Sequence, residues 1–272
     1  MSTGDPDASA FERIDVTTAH PARRYNYWLG GKDHFAADRA SGDAIEAVLP
    51  SIRLMAIENR MSLRRAVRYV ARQGIRQYLD IGTGIPAPGN THEIAQGVDP
   101  TARTVYVDND PIVLAHARAL LTSAPQGTNA YLDADLREPC SILEHPDLKA
   151  TLDFSEPITL MLVAVLHFIR DDEDPRGIVD RLAGALPPGS YVIASHATWE
   201  FQSPEAIEQL SAANTDGRFV PRSAETLAGL LHGLEFVAPG LVSVSRWRAD
   251  DAPQPRPSIE DVSCNGVVAR IP

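Results

Sequence analysis

Hydrophobic and polar positions follow two rhythms along the chain. Residues 21–50, PARRYNYWLGGKDHFAADRASGDAIEAVLP, read as helical pieces interrupted at Gly30-Gly31, with aromatics crowded into 25–28. Residues 51–73 place Leu54, Ile57, Met61, Val67 and Val70 at helical spacing, which predicts one amphipathic helix. Gly74 follows where a helix-terminating glycine belongs. Beyond it, short β-rich runs alternate with helical segments. Strands are predicted over 77–81, 104–107, 129–132, 158–165 and 191–194, and helices over 91–97, 111–123, 140–149 and 175–186. Strand–helix alternation implies βαβ crossovers and a mainly parallel sheet. The run 158–165 is apolar at nearly every position, as for a central strand covered on both faces. The alternation then breaks. Helices near 204–213 and 222–232 precede strands over 234–237, 241–247 and 264–271, the last two flanking the Pro-rich ADDAPQPRPSIED. Two consecutive strands without a helix between them predict an antiparallel pair closing the sheet edge.

Composition narrows the class. The 272 residues are 44% hydrophobic, enough for a substantial core. A net charge of −11 argues against a nucleic-acid partner, which needs a basic face. Cys140 and Cys264 are too few for a disulfide framework and suit a reducing compartment. The first twenty residues lack a basic segment followed by an apolar run, and the longest apolar stretch is shorter than the ~20 residues that span a bilayer. The expectation is a cytoplasmic protein with no membrane partner and a loose tail over residues 1–17.

The chemistry concentrates at strand ends. In YLDIGTGIP an acid, Asp80, closes a strand, and Gly82 and Gly84 turn the chain, allowing close backbone approach to a ligand. The next strand, VYVD, ends in Asp108, placed to accept the two hydroxyls of a ribose. Asp133 and Asp135 follow the third, where capping is the competing role, as it is for Asp110 before Pro111. Such sheets bind ligands outside the carboxyl ends of their strands. Two nucleotide ligands compete. Gly82-x-Gly84-x-x-Ala87 formally satisfies a dinucleotide fingerprint and so an NAD-linked oxidoreductase. Asp80 beside the first glycine would repel a pyrophosphate but accept from an ammonium, which fits S-adenosylmethionine better.

The order LDIGTGIP, VYVDND, DADLREP, LMLVAVLHFI and LPPGSYVIASH resembles class I S-adenosylmethionine-dependent methyltransferases. PARRYNYWLGGKDHFAADR and the loop IPAPGNTHEIAQ resemble more specifically the S-adenosylmethionine methyltransferase-like family of actinobacteria. The resemblance implies an α/β Rossmann-like fold with a seven-stranded, mainly parallel sheet and an antiparallel last strand. It implies that Asp80, Gly82 and Gly84 contact the methionine part of the cofactor and that Asp108 holds the ribose. Asn109, Asp110, Asp135 and Leu136 would border the adenine, and Val163–His167 both cofactor and substrate. One departure is Pro86, where the usual pattern has a third glycine.

Residues 1–50 are expected to form a tail and helical lid over a methyltransferase unit at 51–272. Tyr25, Tyr27 and Trp28 are candidates for an aromatic wall around the sulfonium, and Arg23, Arg24 or Lys32 for pairing with its carboxylate. His167 and His196 follow strands on the same rim and are the candidate bases, with Ser195, Trp199 and Phe201 as candidate pocket residues. His34, His92 and His116 show no metal-ligand spacing. No nucleophile elbow occurs, and the DDED run at 171–174 reads as a solvated loop and helix start. The expected function is methyl transfer to a small molecule, the alternatives being a non-catalytic cofactor-binding module and the oxidoreductase.

Overall fold

A computed structural model describes residues 15–120, 123–214 and 217–272. The expected tail lies outside it up to residue 14, as do residues 121–122 of the expected 111–123 helix and residues 215–216.

Five parallel strands form the body of the sheet: β1 (Gln77–Ile81), β2 (Arg103–Asp108), β3 (Thr128–Asp133), β4 (Thr159–Val163) and β5 (Tyr191–Ala197). Three strands complete it: β8 (Cys264–Arg270) runs antiparallel to β5, and the short β6 (Glu235–Phe236) and β7 (Val242–Ser243) run antiparallel to β8. The order is β3-β2-β1-β4-β5-β8-β6, with β7 also on β8. Seven positions are therefore filled across the sheet, the outermost shared by two short strands. The 241–247 strand contracts to Val242–Ser243 because the chain turns back on itself through residues 244–249. The expected antiparallel pair, β7 with β8, closes this end of the sheet: β8 lies against β5, and β7 with β6 lines its outer side. The chain reverses direction across the sheet between β1 and β4, and this switch point opens a crevice at their carboxyl ends.

Side chains alternate between two cores. Leu79, Leu160, Leu162 and Val192 face one way, packing with Ile142, Leu148, Ile178 and Leu182 from α6 (Pro139–Glu144), α7 (Pro146–Thr151) and α8 (Pro175–Gly184). The expected 140–149 helix is split because His145 precedes Pro146 and takes an extended ψ of 129°. Tyr78, Met161, Ile193 and Val268 face the other way, against Leu63, Val67 and Val70 of α3 (Ile52–Arg72). Gly74, at φ +91°, ends α3 as anticipated. Val67 and Val70 of the predicted stripe are fully buried, but nearer the start of α3 the inward face is Ile52, Ala56, Asn59 and Leu63, while Ile57 is 47% exposed. Toward its N-terminal half α3 thus carries Glu58, Asn59 and Ser62 inward, where it crosses the carboxyl rim.

The N-terminal helices α1 (Pro21–Trp28) and α2 (Ala36–Val48) pack on each other and on α3. Gly30, at φ +78°, turns the chain between them. Phe35 and Ala22 rest on Ile85, Ile112 and Val113, so this block sits over the rim at the end of β2. α4 (Thr91–Gln96) and α5 (Pro111–Leu120) follow β1 and β2, and α9 (Pro204–Ala213), α10 (Ala224–Leu230) and α11 (Ile259–Val262) complete the helices described.

Candidate active site

The loop after β1 is built for close approach. Gly82 and Gly84 have φ of +73° and +69°, a region that side-chain-bearing residues rarely occupy. A Cβ on Gly82 would stand 2.5 Å from Val165 Cγ2, so only glycine lets the segment leaving β4 lean against this loop. At Gly84 nothing lies within 4 Å of the corresponding position, which leaves open space above the backbone. Ala164, across the crevice, also has a positive φ, 56°, and donates its N–H to Ser195 O and Oγ. Strain of this kind collects at functional rims.

Two buried carboxylates flank the loop. Asp80 accepts from Thr91 Oγ1 at 2.6 Å, and burial pushes its pKa up to about 6 despite that bond and the nearby charge of Arg60. Arg60, on α3, donates to the carbonyls of Ala87 and Gly89 in the same loop. Asp108 accepts from Gly84 N at 2.8 Å and Asp110 N at 3.0 Å, and burial likewise raises its pKa. A carboxylate has about four lone-pair positions, so both groups keep capacity for a ligand. Asp110 caps α5 through Ile112 N. Burial would raise its pKa, but His20, 2.9 Å away, and Arg23 hold it low.

Asn109 Nδ2 donates to Asp135 Oδ2 at 2.8 Å, bridging the ends of β2 and β3. Asp135 also accepts from the backbone and guanidinium of Arg137, and these bonds outweigh burial to keep its pKa low. Leu136 beside it is buried. The structure therefore gathers Asp80, Gly82, Gly84, Asp108, Asn109, Asp135 and Leu136 along one rim. Val163 ends β4 in register with Ser195.

The two histidines are held differently from the expectation of a free base. His196 is wholly buried, its Nδ1–H donating to Ala197 O at 2.8 Å and its Nε2 facing Arg222 Nη1 at 3.3 Å. Burial pushes its pKa down to about 4. His167 accepts from Ala197 N at Nδ1, lies among Phe168, Phe219 and His196, and burial depresses its pKa well below the usual value. Arg222 ties the region together, donating to Leu166 O, Ile169 O and Asp171. In the rest of the DDED run Asp172 pairs with Arg170, Glu173 with Arg137, and Asp174 caps α8 by accepting from Gly177 N.

Several of the N-terminal candidates have partners within their own block or on α3 and Asp110. Tyr27 donates to Asp43, and Arg53 lies 4.6 Å over its ring. Arg24 donates to Ser41 Oγ. Arg23 binds the carbonyls of Asp15 and Thr18 and faces Asp38 and Asp110. Tyr25 points inward, donating to Ala56 O and accepting from Asn59 Nδ2. Sequence reasoning missed Asn59, Arg60, Thr91 and Arg222. Thr91, opening a helix directly after the glycine loop, had a readable signal. The three others lie in helix or loop positions that composition does not distinguish. No group of three potential metal ligands occurs among the described residues.

A parallel sheet with an antiparallel strand inserted beside β5, and an acid-lined rim at its switch point, defines the class I methyltransferase fold. Residues 7–272 match the family model for S-adenosyl methyltransferase, and the chain belongs to that family. A DUF574 family protein from Streptomyces avermitilis is 43% identical, covering 96% of this chain and 100% of its own, with a TM-score of 0.89. A protein from Thermobifida fusca is 38% identical over 99% of each chain, with a TM-score of 0.86. The magnesium protoporphyrin IX methyltransferase of Synechocystis, solved with S-adenosylhomocysteine, shares the fold at 11% identity and a TM-score of 0.53, covering 92% of this chain and 93% of its own. No match is found among curated proteins. The chain is an S-adenosylmethionine-dependent methyltransferase of actinobacterial kind.

Proposed function

We propose that the rim binds S-adenosylmethionine in an extended pose and presents its methyl group to a small-molecule acceptor at the ends of β4 and β5. The observation that carries this is the pair of buried carboxylates, Asp80 and Asp108, on either side of a glycine loop with open space above Gly84. Asp80, short of compensating charge, fits the methionine ammonium. Arg60, close enough to influence Asp80, fits the carboxylate in place of Arg24. Asp108 takes the ribose hydroxyls, and the Asn109–Asp135 bridge with Leu136 borders the adenine. Bound there, the sulfonium supplies an activated methyl group. The protein's part is alignment, which can contribute much of the rate in an in-line displacement. Neither His167 nor His196 is assigned as a base, because each is enclosed and held neutral.

Residues 20–50 act as a lid in this reading, docked by His20 and Arg23 on Asp110, next to the ribose acid. Excluding water there protects the electrophile. Consistent with a cytoplasmic role, no helix among the described residues is long and apolar enough to cross a membrane.

Calorimetric titration with S-adenosylmethionine, S-adenosylhomocysteine and NAD tests the reading. The two sulfur ligands are expected to bind and NAD to fail. Asp108→Ala should weaken binding by about a hundredfold, the loss of two charge-assisted hydrogen bonds, with the fold intact by circular dichroism. Binding of NAD alone would overturn the assignment.

A further inference from the structure

Between α3 and strands β4, β5 and β8 lies a small cavity with room for a water-sized group, which the cofactor rim does not use. It runs from Ile193 in mid-sheet to Val163 and Ser195 at the carboxyl ends, with Asn59, Ser62 and Trp247 along its other side. The orientation of Asn59 is determined by its neighbour. Tyr25 gives its hydroxyl proton to Ala56 O at 3.0 Å, so it must accept from Asn59 Nδ2 at 2.9 Å. Asn59 Oδ1 is thereby turned away from Tyr25, and it has no partner although the residue is only 3% exposed. The indole Nε1–H of Trp247, 1% exposed, also has none. Buried polar groups are nearly always hydrogen-bonded, so two unpartnered ones on residues lining a single cavity point to a polar occupant.

We propose that this cavity is the recognition subsite for the methyl acceptor and takes a neutral hydroxyl group, which donates to Asn59 Oδ1 and accepts from Trp247 Nε1–H. The proposal rests on the rim being the cofactor site, since Val163 and Ser195 join the two. The chemistry selects the group. Besides Asn59 and Trp247 the lining holds the hydroxyls of Ser62 and Ser195, apolar side chains and no ionisable group, so it is neutral throughout. A carboxylate would meet Asn59 Oδ1 without a cation, and an ammonium would meet the positive end of the indole N–H. The hydroxyl serves as a handle and not as the methylated atom, because nothing in the lining can take its proton. The acceptor is therefore an alcohol or phenol that carries its nucleophile elsewhere.

Nitrogen-15 spectra of the protein saturated with S-adenosylhomocysteine resolve the question, the Trp247 indole signal being assigned by its loss in Trp247→Phe. Added 1-propanol should shift that signal saturably, while propionate and propylammonium should not. Asn59→Leu should weaken the propanol effect at least about tenfold, the worth of one hydrogen bond. Ser62→Val, which narrows the cavity without touching Tyr25, should do the same and serves if the first variant does not fold. No saturable shift with propanol, or equal shifts with a charged probe, would overturn the proposal while S-adenosylhomocysteine still moved the Gly82 and Gly84 amides. If S-adenosylhomocysteine moves neither amide, the cofactor reading falls and this one with it.

Discussion

At the level of single residues, the site is assembled from groups held in states that are costly to the fold. Lifting Asp80 from 3.8 to about 6 corresponds to roughly 3 kcal/mol against its charged form. Asp80→Asn should therefore stabilise the ligand-free protein at pH 7 by up to about 3 kcal/mol in urea titration, and abolish tight cofactor binding. The same ionisation governs pH dependence. An ammonium needs Asp80 charged, so affinity should fall as pH drops through about 6, at most about tenfold per pH unit from this group. In Asp80→Asn that dependence should be lost. The glycines separate backbone strain from ligand contact. Gly82→Ala meets both positive φ and Val165, and should cost roughly 2–3 kcal/mol. Gly84→Ala meets only positive φ, at about 1 kcal/mol, yet should block the cofactor. The rim positions of Asp80 and Asp108 were legible because each stands at the carboxyl end of an apolar run, and Gly82 and Gly84 because they form the turn that follows the first. Asn59 and Arg60 were not, because hydropathy assigned Ile57 to the buried stripe of α3. The inward face there is polar where it meets the rim, so periodicity alone points the wrong way.

Whole elements show where local pattern predicts structure well and where tertiary contacts decide it. The five parallel strands fall where apolar runs bounded by glycine and acid place them. The 140–149 helix divides because a proline constrains the residue before it, a rule visible in the sequence. The shortening of the 241–247 strand follows from turns beyond Ser243 and from Arg65 binding the carbonyls of Val244 and Trp247, a contact 179–182 residues distant. The segment leaving β4 depends on a similar distant tie, the Arg222 guanidinium. Arg222→Met leaves the carbonyls of Leu166 and Ile169 without it and should destabilise by roughly 3 kcal/mol. His196 contributes with the opposite pH sign to Asp80. Its folded pKa of about 4 means that the unfolded chain binds a proton first, so stability falls as pH drops from 6.5 toward 4. Over that range Asp80 gains a proton in the folded state before the unfolded one and adds stability. His196→Gln should flatten the acid limb of a urea-midpoint profile, and Asp80→Asn should steepen it.

Across the whole molecule, the N-terminal block meets the segment after β2 through ionic contacts, His20 and Arg23 on Asp110 and Asp33 on His116, backed by Phe35 and Ala22 on Ile85 and Ile112. S-adenosylhomocysteine should slow tryptic cleavage at Arg24 and Lys32, and His20→Ala with Arg23→Ala should remove the protection. β8 has a different kind of reach. It pairs with β5 along one edge and with β6 and β7 along the other, although it is the last strand of the sheet in chain order. During synthesis the cofactor half of the protein, β1 to β5, emerges first with the long edge of β5 unpaired. That edge remains without its partner until some seventy residues more have left the ribosome, from Ala197 to Arg270. For that interval the nascent chain presents an open hydrophobic template of the sort that recruits stray strands. Its safe arrival thus depends on the speed of translation and on holding chaperones as much as on the stability of the finished sheet.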